Sequence, residues 1–378
     1  MTNAGVYIHF PFCRTRCSYC DFATGIYQDQ PAERYVGAVV SEIETWRQVE
    51  KPREIDTVYL GGGTPSLLLP RQLERILAAV HHRFQVSGNL EITMEMNPGS
   101  LPLPTLEGFR NIGINRASFG AQTFDDSELL KLGRSHTAAD SRQTFRDLRA
   151  VGFANINLDL IAGLPGQTFD CWRRNVDEAL ALEPEHISFY LLEVHQGTPL
   201  ADQIKRGRQP QPDDDLAAQM YQLMIEKSTA SGYVHYEISN ICQPGFESRH
   251  NAKYWTLAPY YGFGCSAHSY DGELRRWANQ RDVQQFVDLI EKDISPVVEV
   301  WDLSEKDRQA ETVFLGLRLM KGINLADYHK SFGVDMRALY ARELENLKTA
   351  GLIEFDQENL RLTTKGSLLS NDVFSTFV

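Results

Sequence analysis

Six short apolar runs alternate with amphipathic stretches along the first half of this chain, and no other feature constrains its fold as strongly. The runs fall at residues 6–10, 57–60, 90–96, 115–122, 156–160 and 186–194. Between them, 33–50, 72–84, 138–151 and 169–182 carry apolar residues at helical spacing. Strand followed by helix, repeated, requires parallel strands joined by helical crossovers. Six such units make an α/β fold, a partial (β/α)6 TIM-like barrel rather than the full eight-stranded one. In such sheets ligands gather at the C-terminal ends of the strands. Polar residues and glycines recur at those ends here. Gly61-Gly62-Gly63-Thr64-Pro65 follows the second run, Glu95 closes the third and Gln122 the fourth. Asp159 and Gly163-Leu164-Pro165 close the fifth. A bare scaffold has no need of that recurrence.

The first run leads into three cysteines, Cys13, Cys17 and Cys20, spaced Cys-x3-Cys-x2-Cys. Three thiols cannot pair off as disulfides without leaving one over. Zinc requires a fourth ligand, and no Cys or His follows within several dozen residues. An iron–sulfur cube held by three cysteines keeps one iron open to a further ligand. The remaining cysteines, Cys171, Cys242 and Cys265, are scattered, which speaks against a secreted disulfide framework. A formal net charge of −12 argues against a nucleic-acid or anionic-membrane surface. No apolar run reaches membrane-spanning length, and no signal or transit peptide is expected before the first strand. A cytoplasmic location is expected.

Beyond the sixth run, the polar stretch 205–215 reads as a loop or boundary. A helix over 216–231 and a strand over 233–238 follow, then an aromatic and glycine-rich segment at 246–270. Helical patterns at 310–321 and 336–350 precede two short strand-like runs, 352–355 and 360–363. That order predicts a smaller α+β domain with a winged-helix-like end. From Ser304 onward acidic and basic residues nearly balance, without a basic stripe, so a packing or docking module is expected rather than a DNA reader. The expected division is 1–200 for the barrel core, 201–303 for a middle extension and 304–378 for the C-terminal domain.

The cysteine loop with Tyr19 inside it, together with Gly61-Gly62-Gly63-Thr64-Pro65, resembles the radical S-adenosylmethionine superfamily. The resemblance implies a [4Fe-4S] cluster whose open iron is chelated by the amine and carboxylate of S-adenosylmethionine. An electron from such a cluster cleaves the sulfonium and yields a 5′-deoxyadenosyl radical. Further pieces are similar to the family of oxygen-independent coproporphyrinogen oxidases and related heme chaperones. They are Tyr7-Ile8-His9-Phe10-Pro11-Phe12-Cys13, Glu95-Met96-Asn97-Pro98, Gly120-Ala121-Gln122-Thr123-Phe124, Leu132-Gly133-Arg134, and Leu158-Asp159-Leu160 with the following Gly163-Leu164-Pro165, in family order. By resemblance, Tyr7 and Tyr19 flank the cluster and cofactor, and Gly62, Gly63 and Thr64 hold the methionine end. Glu95, Gln122, Arg134 and Asp159 occupy the remaining S-adenosylmethionine contacts. A carboxylate can accept from ribose hydroxyls or the α-amine, and Arg134 can pair with the cofactor carboxylate.

Two features separate the family's branches. Phe22 stands where the oxidases place a further cysteine, and no counterpart of the oxidases' N-terminal extension is expected before residue 13. His250-Asn251-Ala252-Lys253-Tyr254-Trp255 matches the His-Asn-x-x-Tyr-Trp motif of the chaperone branch. The motif implies heme, with His250 as iron ligand and Tyr254 and Trp255 offering flat apolar surface. Cys265 and His268 are weaker ligand candidates, and Arg249 or Lys253 could meet a propionate. The expected function is a heme chaperone that passes heme to acceptor proteins, with the cluster and cofactor serving transfer. The alternatives are a coproporphyrinogen III oxidase and a radical enzyme that modifies the heme ring. The resemblance leaves room for a homodimer and for peripheral contact with a membrane-bound acceptor. No nucleic-acid partner is expected.

Overall fold

Period-two alternation along the parallel strands sorts the barrel into an apolar shell and a polar interior. In the computed structural model, which describes residues 2–99, 101–356 and 358–378, β1 spans Ala4–Phe10. Its Val6, Ile8 and Phe10 face the helices, and Phe10 meets Tyr35 of helix Asp29–Thr45 edge-on. β2 (Ile55–Gly62), β3 (Val86–Met96), β4 (Arg116–Gln122), β5 (Ile156–Ala162) and β6 (His186–Leu191) follow. They pair in sequence order, every pair parallel. The opposite face carries Tyr7 beside Tyr59, Thr93 beside Arg116, Glu95 beside Ser118, and Asp159 beside Ser188. The shell contributes the hydrophobic driving force, which leaves the interior free to be polar.

Residues 201–303 join this sheet from both ends. β7 (Val234–Glu237) and β8 (Asn240–Cys242) extend it antiparallel beyond β6. β9 (Tyr260–Phe263) pairs parallel with β1, and β10 (His268–Tyr270), β11 (Arg275–Asn279) and β12 (Val297–Asp302) continue antiparallel. The sheet of twelve strands therefore has β12 and β7 at its edges. The segment read only as aromatic and glycine-rich, 246–270, contains β9, β10 and a short helix, Arg249–Trp255. That helix lies against the N-terminal ends of β1 and β2 and forms the floor of the barrel.

The C-terminal domain forms around its own apolar cluster, including Val313, Leu317, Leu344, Leu347, Leu360 and Val373. The helix expected at 310–321 runs Glu305–Gly316. Ser304 sets its start by a capping box, accepting from the Asp307 amide at 3.2 Å while Asp307 accepts from the Ser304 amide at 2.9 Å. The expected 336–350 helix is broken at Tyr340 into Met336–Leu339 and Ala341–Thr349. Ile353–Phe355 and Asn359–Leu362 form the hairpin, joined by Ile323–Asn324. This domain docks near the floor. Ile238 donates to the Arg318 carbonyl at 3.1 Å, and the Arg318 guanidinium lies 4.2 Å from the Trp255 ring centroid. No helix among the described residues is long and apolar enough to cross a membrane.

Candidate functional site

The strand ends surround a cavity of about 510 Å³, within the range of small-molecule sites. Cys13, Cys17, Cys20, Tyr19, Gly62, Gly63, Thr64, Glu95, Gln122, Arg134 and Asp159 all line it. The residues expected at the cluster and at S-adenosylmethionine thus line one cavity, except Tyr7.

The cysteine loop is fastened by residues distant in sequence. Ser18 donates its amide to the Leu132 carbonyl at 3.0 Å and its hydroxyl to the Lys131 carbonyl at 3.3 Å. Gly133, at φ +72°, lies against the Ser18 amide, where a β-carbon would sit 3.4 Å away. Arg134 then reaches Cys17 Sγ at 3.4 Å, Asn97 Oδ1 at 3.1 Å and the Gly120 carbonyl at 2.9 Å. Leu132-Gly133-Arg134 therefore works as a bracket for the loop. Thr64 donates to Cys13 Sγ at 3.4 Å and accepts from Asn97 at 3.0 Å. Two of the three sulfurs thus receive a hydrogen bond suited to thiolate charge.

Burial pushes the Cys13 and Cys20 thiols upward, with the Thr64 hydroxyl pulling Cys13 part of the way back. Charge on these sulfurs is therefore favoured by a cationic partner. Among the described residues no group of three His, Cys, Asp or Glu converges tightly enough for one metal ion. A cube gives each thiolate its own iron, so the three cysteines of this loop need not converge on a single ion.

The glycine run has a local cause. A β-carbon on Gly63 would come within 2.7 Å of the Phe12 carbonyl oxygen, and one on Gly62 within 2.7 Å of the His9 ring. Gly62 also holds φ at +115°, a conformation glycine adopts without steric cost. These glycines let the β2 end pass under the cysteine loop, and their backbone then forms cavity wall.

Glu95 accepts from the Tyr59 hydroxyl at 2.8 Å and the Gly62 amide at 3.1 Å. Its carboxyl is pushed up to about 7, chiefly by burial. Asp159 accepts from Asn157 at 2.7 Å and is likewise raised by burial. Arg116, 2% exposed on the inner face, partly offsets both shifts, and its Nε has no hydrogen-bond partner among the described residues. Two half-buried carboxyls facing an open cavity suit a ligand that brings positive charge or hydroxyl donors. Gln122 ends β4 at φ +65° beside a register shift, which leaves its amide in the same wall. Asn97, Ser118, Tyr190 and His195 also line the cavity and were not singled out from sequence. Ser118 lies on the same strand as Gln122, which was.

Two expected site residues lie elsewhere. Tyr7 does not line the cavity. Its ring stacks on Tyr59 deeper in the barrel, and its hydroxyl meets His9 Nδ1 at 3.0 Å. His9 Nε2 in turn meets the Ala23 carbonyl at 3.2 Å, so Tyr7 braces the cysteine loop at one remove. His250 stands on the floor, 1% exposed, with Thr57 Oγ1 2.9 Å from Nδ1 and Tyr254 Oη 3.0 Å from Nε2. Burial lowers its imidazole to about 3, so it is neutral, and in this conformation neither nitrogen is open to an iron atom. Lys253 is paired with Asp56 at 2.6 Å. Cys265 is buried under the Tyr35 hydroxyl, and His268 stacks on Trp301.

The fold and cavity define a radical S-adenosylmethionine protein. The radical SAM superfamily profile matches residues 7–179 and the HemN C-terminal domain profile residues 303–369. A heme chaperone HemW of Bacillus subtilis is 37% identical over 98% of both chains, and one of Lactococcus lactis is 36% identical over 98% of this chain and 96% of its own. The chain belongs to the HemW family within that superfamily. Among solved structures, the coproporphyrinogen III oxidase HemN of Escherichia coli superposes with a TM-score of 0.85 at 23% identity, covering 99% of this chain and 90% of its own. That likeness describes the fold.

Proposed function

We propose that the protein carries heme and passes it to acceptor proteins, on a scaffold that holds a [4Fe-4S] cluster and S-adenosylmethionine. The observation that carries this reading is the nearly full-length similarity to proteins described as heme chaperones. Phe22, 61% exposed in the cavity wall where the oxidases have a cysteine, agrees with it.

Cys13, Cys17 and Cys20 would hold the cluster. Gly62, Gly63 and Thr64 would hold the methionine end of the cofactor, with Glu95, Asp159, Gln122 and Arg134 meeting its charged and hydroxyl groups. When bound, the cluster supplies a single electron at a site that can cleave a sulfonium. The chain's own part is to neutralise, orient and enclose. Arg134 and Thr64 hydrogen-bond the sulfurs, the half-buried carboxyls await a cation, and Tyr19 anchors the loop by packing on Leu132, Ile161 and Leu164. Heme ligation by His250 would require Tyr254 to leave Nε2 and the floor helix to lift.

The three-part division fits this reading. The separate apolar cluster after residue 303 suits a docking module, and the acceptor would meet it or the cavity mouth. A cytoplasmic setting, dimerisation on cofactor binding and contact with a membrane-bound acceptor belong to the same proposal. Hemin-loaded, cluster-reconstituted protein mixed anaerobically with apomyoglobin tests it. Spectral transfer of heme faster than release into buffer is the expected result. No saturable hemin binding would refute the reading.

A further inference from the structure

The cavity wall contains an imidazole that the cofactor reading does not use. Among the described residues, His195 is the only histidine lining the cavity. It lies just past β6 in a turn held by Thr198, whose hydroxyl donates to the His195 carbonyl at 2.7 Å before helix Pro199–Lys205 begins. Its side chain is 43% exposed. Nε2 stands 3.6 Å from Glu193 and 3.8 Å from Asp21, and the ring makes no hydrogen bond among the described residues. His186 and His250, by contrast, have both nitrogens engaged.

The surroundings of His195 match one ligand chemistry. Phe22 and Tyr190 are exposed large rings in the same wall, and Leu192 lies beside them. Flat apolar faces beside an accessible imidazole suit a planar macrocycle with a coordinating metal at its centre. Asp21 and Glu193 stand on the Nε2 side, and among the described residues none bonds Nδ1, which leaves that nitrogen sterically available to a metal. Arg16, in the same wall, offers a cation for a propionate.

We propose that heme lies across the mouth of this cavity with the His195 imidazole as an axial ligand of its iron. The proposal rests on the reading of the chain as a heme carrier and gives that cargo a place. Asp21 and Phe22 follow Cys20 directly, so the heme sits against the cysteine loop, beside the cluster and cofactor rather than at the barrel floor.

Anaerobic hemin titration, followed through the Soret band, tests this. The cluster is reconstituted first, so that Cys13, Cys17 and Cys20 are not free to take the iron. Wild type is expected to bind one hemin with a histidine-ligated spectrum. His195→Ala is expected to lose at least about tenfold in affinity together with that spectrum, and His195→Gly to recover it on addition of imidazole. Iron content and melting temperature of both variants are measured as fold controls. Wild-type affinity and Soret position in His195→Ala would overturn the placement while leaving the heme reading intact. Absence of saturable hemin binding by wild type would overturn both.

Discussion

The two ends of this barrel use the same kinds of residue differently. At the strand C-termini, Gln122 is buried and Glu95, Asp159 and Arg134 are half-buried, yet all line an open cavity, and desolvation raises both carboxyls. At the floor, His250, Thr57 and Tyr254 bond one another, and Lys253 pairs with Asp56. The rim keeps polar groups available for a ligand, while the floor satisfies them internally and docks the C-terminal domain through Trp255 and Arg318. Residue type and motif do not distinguish these states; the direction of the side chain and its partners do.

The contrast can be broken most sharply by removing a sulfur. Cys17→Ala, reconstituted anaerobically, is expected to retain far less than the wild type's roughly four irons and four sulfides. His250→Ala is expected to keep wild-type iron in the same assay. Iron retained in Cys17→Ala would remove the three-thiolate assignment. A second rim residue should act on the cofactor alone. Arg134→Lys cannot present a planar fork, so S-adenosylmethionine affinity is expected to fall about tenfold or more in calorimetric titration. An unchanged affinity would place Arg134 with the loop bracket only.

Floor substitutions should change stability without changing the cofactor. His250→Ala leaves a cavity and unpairs Thr57 and Tyr254, a loss of about 3 kcal/mol in denaturant unfolding with S-adenosylmethionine affinity preserved. The smallest effect is a pH dependence. Glu95 in the folded protein holds its proton up to about 7, whereas the unfolded chain releases it near the ordinary carboxyl value. The folded state therefore binds the extra proton between those values, and the stability of cofactor-free protein falls as pH rises through that window. Glu95→Gln is expected to flatten this fall, seen as a smaller drop in melting temperature across the same pH window. An equal slope in both proteins would show that Glu95 stays ionised throughout.

Much of the rim was readable from sequence because polar residues and glycines interrupt apolar strands at a constant end. The parallel order followed from strands separated by helices of regular length. Depth along the inner face was not readable. Tyr7 lies on the same face as the site residues but below the cavity, and alternation carries no information about height within a barrel. His250 matched a motif, while its partners Thr57 and Tyr254 come together only through the fold. The outer strands β9 to β12 escaped notice because they are short and pair either with β1, far away in sequence, or with one another. Asn97 and His195 lie beyond strand ends, where no periodicity marks them.

The claim at the centre of this account is that a complete rim serves heme carriage and not porphyrinogen decarboxylation. The direct measurement is an anaerobic assay of cluster-loaded protein with reductant, S-adenosylmethionine and coproporphyrinogen III, analysed for tetrapyrrole products. The account predicts no protoporphyrinogen IX, from a preparation that binds hemin. Catalytic turnover to protoporphyrinogen IX would contradict it.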